Sequence, residues 1–204
     1  MSKYIWLIDA GHGGVDAQGN YTTPSRLNKR FKFSDGFEVL EGVSNRLIAK
    51  ELWQRLMTEQ IEFKLVYDEV NDWSLLQRVN LANKLQQKHR RCIYLSIHSN
   101  AGKGTGFEVF TSPGQTASDK FAEVLCKLLE QRFKGRFPFR KDTADSDNDK
   151  EAKFTVLTET ACPSILVEYL FFDSRKDAEF LMSANGRKEL VDVTVEWIKQ
   201  IETL

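Results

Sequence analysis

Two histidines and two glutamates lie at positions where the sequence predicts chemistry. His12 stands in a glycine-rich turn after the apolar run 5–8, and His98 lies at the end of a second apolar run. Glu168 lies within a third run, and Glu41 precedes a segment with helical periodicity. Zinc in a hydrolase takes three protein ligands drawn from histidine and carboxylate, and it leaves a fourth position for water or substrate. His12, Glu41 and His98 can supply that set.

Glu168 is the candidate catalytic carboxylate, because a base near a zinc-activated water has to carry protons. A carboxylate in an otherwise apolar strand also needs a compensating partner, and the ordinary alternative is an ion pair with a buried Arg46 or Arg78. Glu41 alone is compatible with a first-turn acid that the helix dipole favours. Glu38 competes with Glu41 for the ligand role, and we prefer Glu41 because it directly opens the amphipathic helix.

The elements that must position these residues alternate between strand and helix. Apolar runs predict strands that include residues 5–8, 62–67, 93–97, 107–110, 154–158 and 165–171. Helical spacing predicts helices over residues 41–56, 75–87, 118–133, 178–182 and 190–201, with Ser74 or Asp72 as a cap of the second. This alternation favours an α/β fold with a mostly parallel sheet and helices on both faces, in which strand ends from distant parts of the chain meet.

Two long segments have no regular pattern. Residues 15–40 are polar and basic, and we interpret them as a functional rim loop, with a solvated β-ribbon as an equal alternative for residues 26–33. Residues 134–153 form a second irregular segment that is rich in aspartate. An EF-hand would need a central glycine and a terminal glutamate that are missing here, so a solvated loop is favoured. Its aspartates are Asp142, Asp145, Asp147 and Asp149.

Composition narrows the class of protein. The 204 residues are most simply one domain, residues 1–204, and 29 Lys and Arg balance 29 Asp and Glu. A net charge of zero argues against nucleic acid or an anionic membrane as the partner. Three widely spaced cysteines predict buried free thiols rather than a disulfide framework. We expect no membrane span, and the N-terminus has no signal-peptide pattern.

Four motifs, taken together and in order, resemble one known family. The chain is similar to the zinc-dependent N-acetylmuramoyl-L-alanine amidases of the amidase-3 family over nearly its whole length. The motifs that carry this resemblance are residues 8–14 (IDAGHGG), 41–47 (EGVSNRL), 96–101 (SIHSNA) and 165–171 (ILVEYLF).

The resemblance implies a fold and a set of roles. The fold is a twisted sheet of six strands with helices on both faces. Zinc is the implied cofactor, with His12, Glu41 and His98 as its ligands and Glu168 as the catalytic carboxylate. The implied reaction is hydrolysis of the amide between the lactyl group of N-acetylmuramic acid and L-alanine in peptidoglycan. The place of action is the cell wall, periplasmic or extracellular, in an autolysin or endolysin of bacterial origin or specificity.

Other functions remain open on the sequence alone. A zinc peptidase or a carbohydrate deacetylase of the cell wall would use a similar ligand set. A catalytically silent peptidoglycan-binding module could retain the fold, although it would not need an intact ligand set together with a base. The long basic segment 15–40 and the acidic segment 134–153 depart from the common family pattern, so they are expected to alter how the substrate is held.

Overall fold

Strands and helices alternate along residues 2–142 and 147–204, the part of the chain that the computed structural model describes. Asp145, one of the aspartates of the acidic segment, lies outside these residues. The strands are β1 (Ile5–Ala10), β2 (Arg30–Lys32), β3 (Glu38–Leu40), β4 (Phe63–Leu65), β5 (Cys92–Asn100), β6 (Glu108–Thr111), β7 (Lys150–Glu151) and β8 (Ser164–Phe171). The helices are α1 (Glu41–Thr58), α2 (Leu75–His89), α3 (Asp119–Phe133), α4 (Thr155–Thr158), α5 (Arg175–Met182) and α6 (Ala184–Thr203).

Six of the strands form one sheet, in the order β4-β1-β5-β8-β6-β7. The first four are parallel, β6 runs antiparallel to β8, and β7 is parallel to β6. The register pairs Asp9 with Ser96 and His98 with Glu168. The mostly parallel α/β sheet and its six strands are therefore confirmed.

Helices cover both faces of this sheet. Successive side chains of a strand point to opposite faces, so Trp6 and Ile8 join the core beneath α1, α3 and α6, whereas Ile5 and Leu7 join the core beneath α2 and α4. The larger core contains an edge-to-face pair of Trp6 and Trp197, with ring centroids 5.0 Å apart. Such a pair adds about 0.5–1.5 kcal/mol to the effect of burial. The sheet is thereby a rigid platform for its strand ends.

The strand predicted over residues 154–158 is wrong, because Thr155–Thr158 form the short helix α4. The short apolar run there predicts a strand, but both edges of β8 are already paired with β5 and β6. A helical turn instead directs Val156 and Leu157 together into the smaller core, where α4 packs against α2 and β8. Tertiary packing has overridden a weak local preference.

The acidic segment is not a solvated loop throughout. Lys150–Glu151 form β7, and the adjacent Asp149 is only 2% exposed and accepts a 2.8 Å hydrogen bond from Thr111 Oγ1. In the basic segment, β2 and β3 form an antiparallel hairpin, so the ribbon alternative is realised just before α1.

Several smaller predictions are confirmed. Ser74 caps α2 through a reciprocal capping box with Gln77. Cys92, Cys126 and Cys162 are buried free thiols. Among the described residues, no helix is both long enough and apolar enough to cross a membrane.

Candidate functional site

The ends of β1, β5 and β8 and the first residue of α1 bring the candidate residues together. β1 and β5 are hydrogen-bonded neighbours, and the Gly11 amide continues their ladder by donating to the Ile97 carbonyl at 2.9 Å. His98 and Glu168 are register partners on β5 and β8. Residues far apart in sequence therefore meet at one edge of the sheet, as the predicted fold requires.

His12, Glu41 and His98 form a compact cluster. The distance from Glu41 Oε1 is 3.2 Å to His12 Nε2 and 3.1 Å to His98 Nδ1. One ligand atom from each residue lies within 4.8 Å of the others. Two atoms on a tetrahedral zinc with bonds of about 2.0–2.1 Å are about 3.3–3.4 Å apart. The three side chains are therefore spaced as ligands of one small cation.

Unpartnered polar atoms also favour a cation in this cluster. His12 Nε2, Glu41 Oε2 and Glu168 Oε2 are buried and make no well-oriented hydrogen bond in the described part of the chain, although charged groups lie within 3.2 Å of the first two. Buried polar atoms without partners are costly, so native structures contain few of them. Glu41 is completely buried, and both imidazoles converge on its carboxylate. The donors present therefore fit a divalent metal of the kind that histidine and carboxylate bind.

Two arginines hold the segment that carries His12. His12 has a φ of 65°, in the left-handed region that residues other than glycine rarely adopt. Its carbonyl accepts hydrogen bonds from Arg46 Nη2 at 2.7 Å and Arg78 Nη2 at 3.0 Å. Arg78 also forms a buried ion pair with Asp9, which accepts a 2.7 Å hydrogen bond from Ser96 Oγ. These contacts compensate the strained backbone from which the imidazole projects.

The ordinary alternative for Glu168, an ion pair with a buried Arg46 or Arg78, is wrong. Arg46 and Arg78 bind backbone carbonyls, Asp9 and Asp72, and neither forms an ion pair with Glu168 in the described structure. Glu38 is also separate from the cluster, since it pairs with Arg30 on the exposed hairpin at 2.7 Å.

Gly11 permits the close approach of the two histidine-bearing segments. A Cβ atom at Gly11 would lie 2.1 Å from Cε1 of His98. Any larger residue would push this ring away, because contacts below 3.0 Å are essentially never found for a Cβ atom. Packing against His98 thus explains Gly11, the first glycine of the 8–14 motif.

The protonation of the site follows from burial and from its charges. Burial lowers the pKa of His12 and favours the neutral imidazole that a metal requires. Burial acts to raise the pKa of Glu41, but His12 and His98 outweigh it and lower the pKa. Burial raises the pKa of Glu168 to about 8. The two glutamates thus have opposite pKa shifts, which is typical of carboxylates with different roles.

A cavity of about 560 Å³ opens beside the cluster. Gly11, His12, His98 and Glu168 form one part of its lining. Its other walls include apolar side chains that remain partly exposed, namely Leu27, Leu75 and Phe154, at 44%, 53% and 43% exposure. Lys29 and Lys153 add cationic groups to the lining.

The sequence prediction missed the residues that support the cluster. The sequence offers Arg46 and Arg78 only as ion-pair partners of Glu168, and Lys29 only as one cation of a basic loop. Arg46 lies five residues after Glu41 in α1, a spacing that does not place the two side chains on one helix face, so it gave no signal. No local pattern pointed to Lys29 or to the left-handed conformation of His12.

Known proteins resemble this chain in sequence and in fold. The family model Amidase_3, described as N-acetylmuramoyl-L-alanine amidase, matches residues 7–200. The N-acetylmuramoyl-L-alanine amidase CwlM of Bacillus licheniformis is 32% identical over 185 residues, covering 87% of this chain and 60% of CwlM. The endolysin of Bacillus phage SPP1 is 25% identical over 210 residues, covering 100% of this chain and 68% of the endolysin.

Solved structures support the same fold. An N-acetylmuramoyl-L-alanine amidase from Clostridium difficile 630 has a TM-score of 0.78 with this chain, at 24% identity, over 98% of this chain and 97% of that one. The sheet and its helices are therefore those of amidase structures. The chain spans 60% of the length of CwlM, so it corresponds to one part of that longer relative.

Proposed function

The chain belongs to the Amidase_3 family of N-acetylmuramoyl-L-alanine amidases, and from this premise we propose that it hydrolyses the amide between the lactyl group of N-acetylmuramic acid and L-alanine in peptidoglycan. The observation that carries this proposal is the arrangement of two imidazole nitrogens around Glu41 Oε1, at 3.1 and 3.2 Å, beside the separate carboxylate of Glu168, whose Oε2 atom is buried. Amide hydrolysis by a metal enzyme needs both parts.

His12, Glu41 and His98 would hold the metal, and zinc fits this set of donors. When bound, zinc supplies a Lewis acid that polarises the scissile carbonyl and lowers the pKa of water. The chain keeps the three donors in place through the arginine contacts to the His12 carbonyl and through the β5–β8 register.

Glu168 would act as general base and then as general acid. Its buried Oε2 takes a proton from the attacking water and transfers that proton to the departing amine of L-alanine as the C–N bond breaks. Burial acts to raise its pKa, which suits a group that must both accept and release a proton near neutral pH.

The cavity walls would hold the substrate on either side of the scissile bond. Leu27, Leu75 and Phe154 offer apolar surface beside the candidate metal position. Lys153 is exposed and forms no ion pair within the described residues, so it offers a cation to the carboxylates of the stem peptide.

We further propose that residues 1–204 form one catalytic domain that acts on the cell wall, in the periplasm or outside the cell. The matches to a bacterial amidase and to a phage endolysin support this setting. They leave both an autolysin and an endolysin role compatible with the chain.

Digestion of purified peptidoglycan tests the proposal. Zinc-loaded protein should release intact stem peptides that begin with L-alanine, identified by mass spectrometry, whereas chelator-treated protein and the Glu168→Gln variant should not. Shortened stem peptides would instead establish a peptidase, and released acetate a deacetylase. Binding to peptidoglycan without any metal-dependent product would establish a binding module.

A further inference from the structure

Lys29 lies directly opposite Glu41 at the end of the β2–β3 hairpin. The register pairs Arg30 with Leu40, and the Glu41 amide extends this ladder by donating to the Lys29 carbonyl at 3.0 Å. The hairpin therefore delivers the Lys29 side chain to the Glu41 side chain, where Nζ lies 3.1 Å from Oε2.

The two oxygens of Glu41 have separate surroundings. Oε1 faces the nitrogens of His12 and His98, whereas Oε2 forms an ion pair with Lys29 and no hydrogen bond within the described residues. The Glu41 side chain is completely buried, and that of Lys29 is 31% exposed. A buried carboxylate that binds a metal through one oxygen leaves the other in need of a partner.

We propose that Lys29 is a positioning residue that holds Glu41 Oε2 and thereby directs Oε1 toward the metal. This inference rests on the metal site of the proposed function. Groups that hold a metal ligand from behind typically affect metal affinity by about 10–100-fold when removed. Lys29 performs this task from a loop, whereas His12 and His98 are held from the sheet edge.

The turn of the β2–β3 hairpin, at the end opposite Lys29, is held against α5, which limits the movement of the hairpin that carries Lys29. The guanidinium of Arg175 lies 5.3 Å from the ring centroid of Phe33 and 5.0 Å from that of Phe37. Arg175 also pairs with Asp35 at 2.5 Å. The hairpin is thus tied to α5 at its turn and to Glu41 at its open end.

A different role for Lys29 would give a different result. Lys29 lines the cavity, so its ammonium could contact substrate rather than serve Glu41. A substrate contact would change KM or kcat and leave metal affinity unchanged. Metal affinity therefore separates the two roles without reference to the reaction.

The test compares Lys29→Met with Lys32→Met in the full chain. Lys32 is exposed on the same hairpin and has no ion pair among the described residues, so it matches the change in charge. Zinc affinity is measured by competition with a chromophoric chelator, and circular dichroism checks folding. We expect affinity to fall about 10–100-fold for Lys29→Met and less than about 2-fold for Lys32→Met. Lys29→Arg should restore most of the affinity because it keeps a cationic donor.

Unchanged zinc affinity in Lys29→Met would overturn the inference, whether or not KM rises. If this variant does not fold, Lys29→Gln is measured with the same expected direction and the same overturning result. Wild-type protein that does not bind zinc would overturn the metal site and this inference together. Wild-type protein that binds zinc but releases no L-alanine stem peptides would overturn the amidase proposal alone, and the affinity ratio would still decide the role of Lys29.

Discussion

The edge of the sheet and the walls of the cavity differ in how firmly their side chains are held. At the edge, the carbonyl of His12 is bound by two arginines and Glu41 is completely buried. On the walls, Leu75 and Phe154 are 53% and 43% exposed. The edge is therefore built for fixed geometry, whereas the walls offer surface that a substrate can cover.

This difference assigns the two regions separate parts of the proposed reaction. Side chains fixed by buried contacts can hold a metal and transfer a proton without reorganisation. Exposed apolar side chains contribute favourably to binding when a ligand removes their surface from water. Substitutions at the edge should thus alter metal binding, kcat or stability, and substitutions on the walls should alter KM.

The largest effect is expected from Glu168 and His98. Glu168→Gln keeps the shape of the side chain but removes the base, so kcat should fall by about 10²–10⁴-fold while zinc stays bound. His98→Ala should lose zinc and activity together. Metal content is measured by elemental analysis, and kcat by the release of L-alanine termini. A Glu168→Gln protein with wild-type kcat would refute the role of Glu168.

Removing Arg78 should cost stability at the same edge. Arg78→Ala leaves Asp9 buried without its cation, and such a loss typically lowers the free energy of unfolding by about 3–5 kcal/mol. Arg132→Ala is the matched control, because its ion pair with Glu196 is exposed and should contribute only about 0–1 kcal/mol. Urea denaturation of both variants measures the difference. Equal losses would mean that the burial of the Asp9 pair has no energetic consequence.

The sequence predicts the candidate metal ligands at the sheet edge better than it predicts the residues that hold them in place. Apolar runs that end in His12 and His98 predict strands whose ends meet, because parallel sheets bring these ends together. Glu41 was identified from its place at the start of a helix. These inferences need only local pattern and the general geometry of α/β folds.

The supports depend on contacts between distant segments, so local pattern could not predict them. Arg46 and Arg78 reach the His12 carbonyl from two different helices. Lys29 reaches Glu41 only because the hairpin has one particular register. Residues 154–158 show the same limit, since the occupied edges of β8 decided their conformation.

A smaller effect is expected on the cavity wall. Phe154→Ala removes apolar surface that substrate would cover in both the ground state and the transition state, so KM should rise by about 3–10-fold with little change in kcat. Met57→Ala serves as the control, because Met57 is 61% exposed and does not line the cavity. Steady-state kinetics on soluble muropeptides provide both constants. A fall in kcat with an unchanged KM would place Phe154 with the fixed edge instead.

The smallest effect concerns pH and Asp149, which directly precedes β7 and accepts a hydrogen bond from Thr111. Burial is the main cause that raises its pKa from 3.8 to about 7, and the charges of Asp147 and Asp119 add to it, against the hydrogen bond from Thr111. The folded protein therefore binds more protons than the unfolded chain between these values, so stability falls as pH rises from about 3.8 to about 7.

Asp149→Asn should remove this loss, because its amide oxygen can still accept from Thr111 and carries no charge. After allowance for solvent screening, we expect the variant to gain no more than about 1 kcal/mol relative to wild type between pH 4 and pH 8. Thermal unfolding across that range measures it, with the exposed Glu159→Gln as control. A variant that is more stable than wild type at pH 4 but not at pH 8 would contradict the expected pH dependence. It would show that folding favours the ionised carboxylate of Asp149.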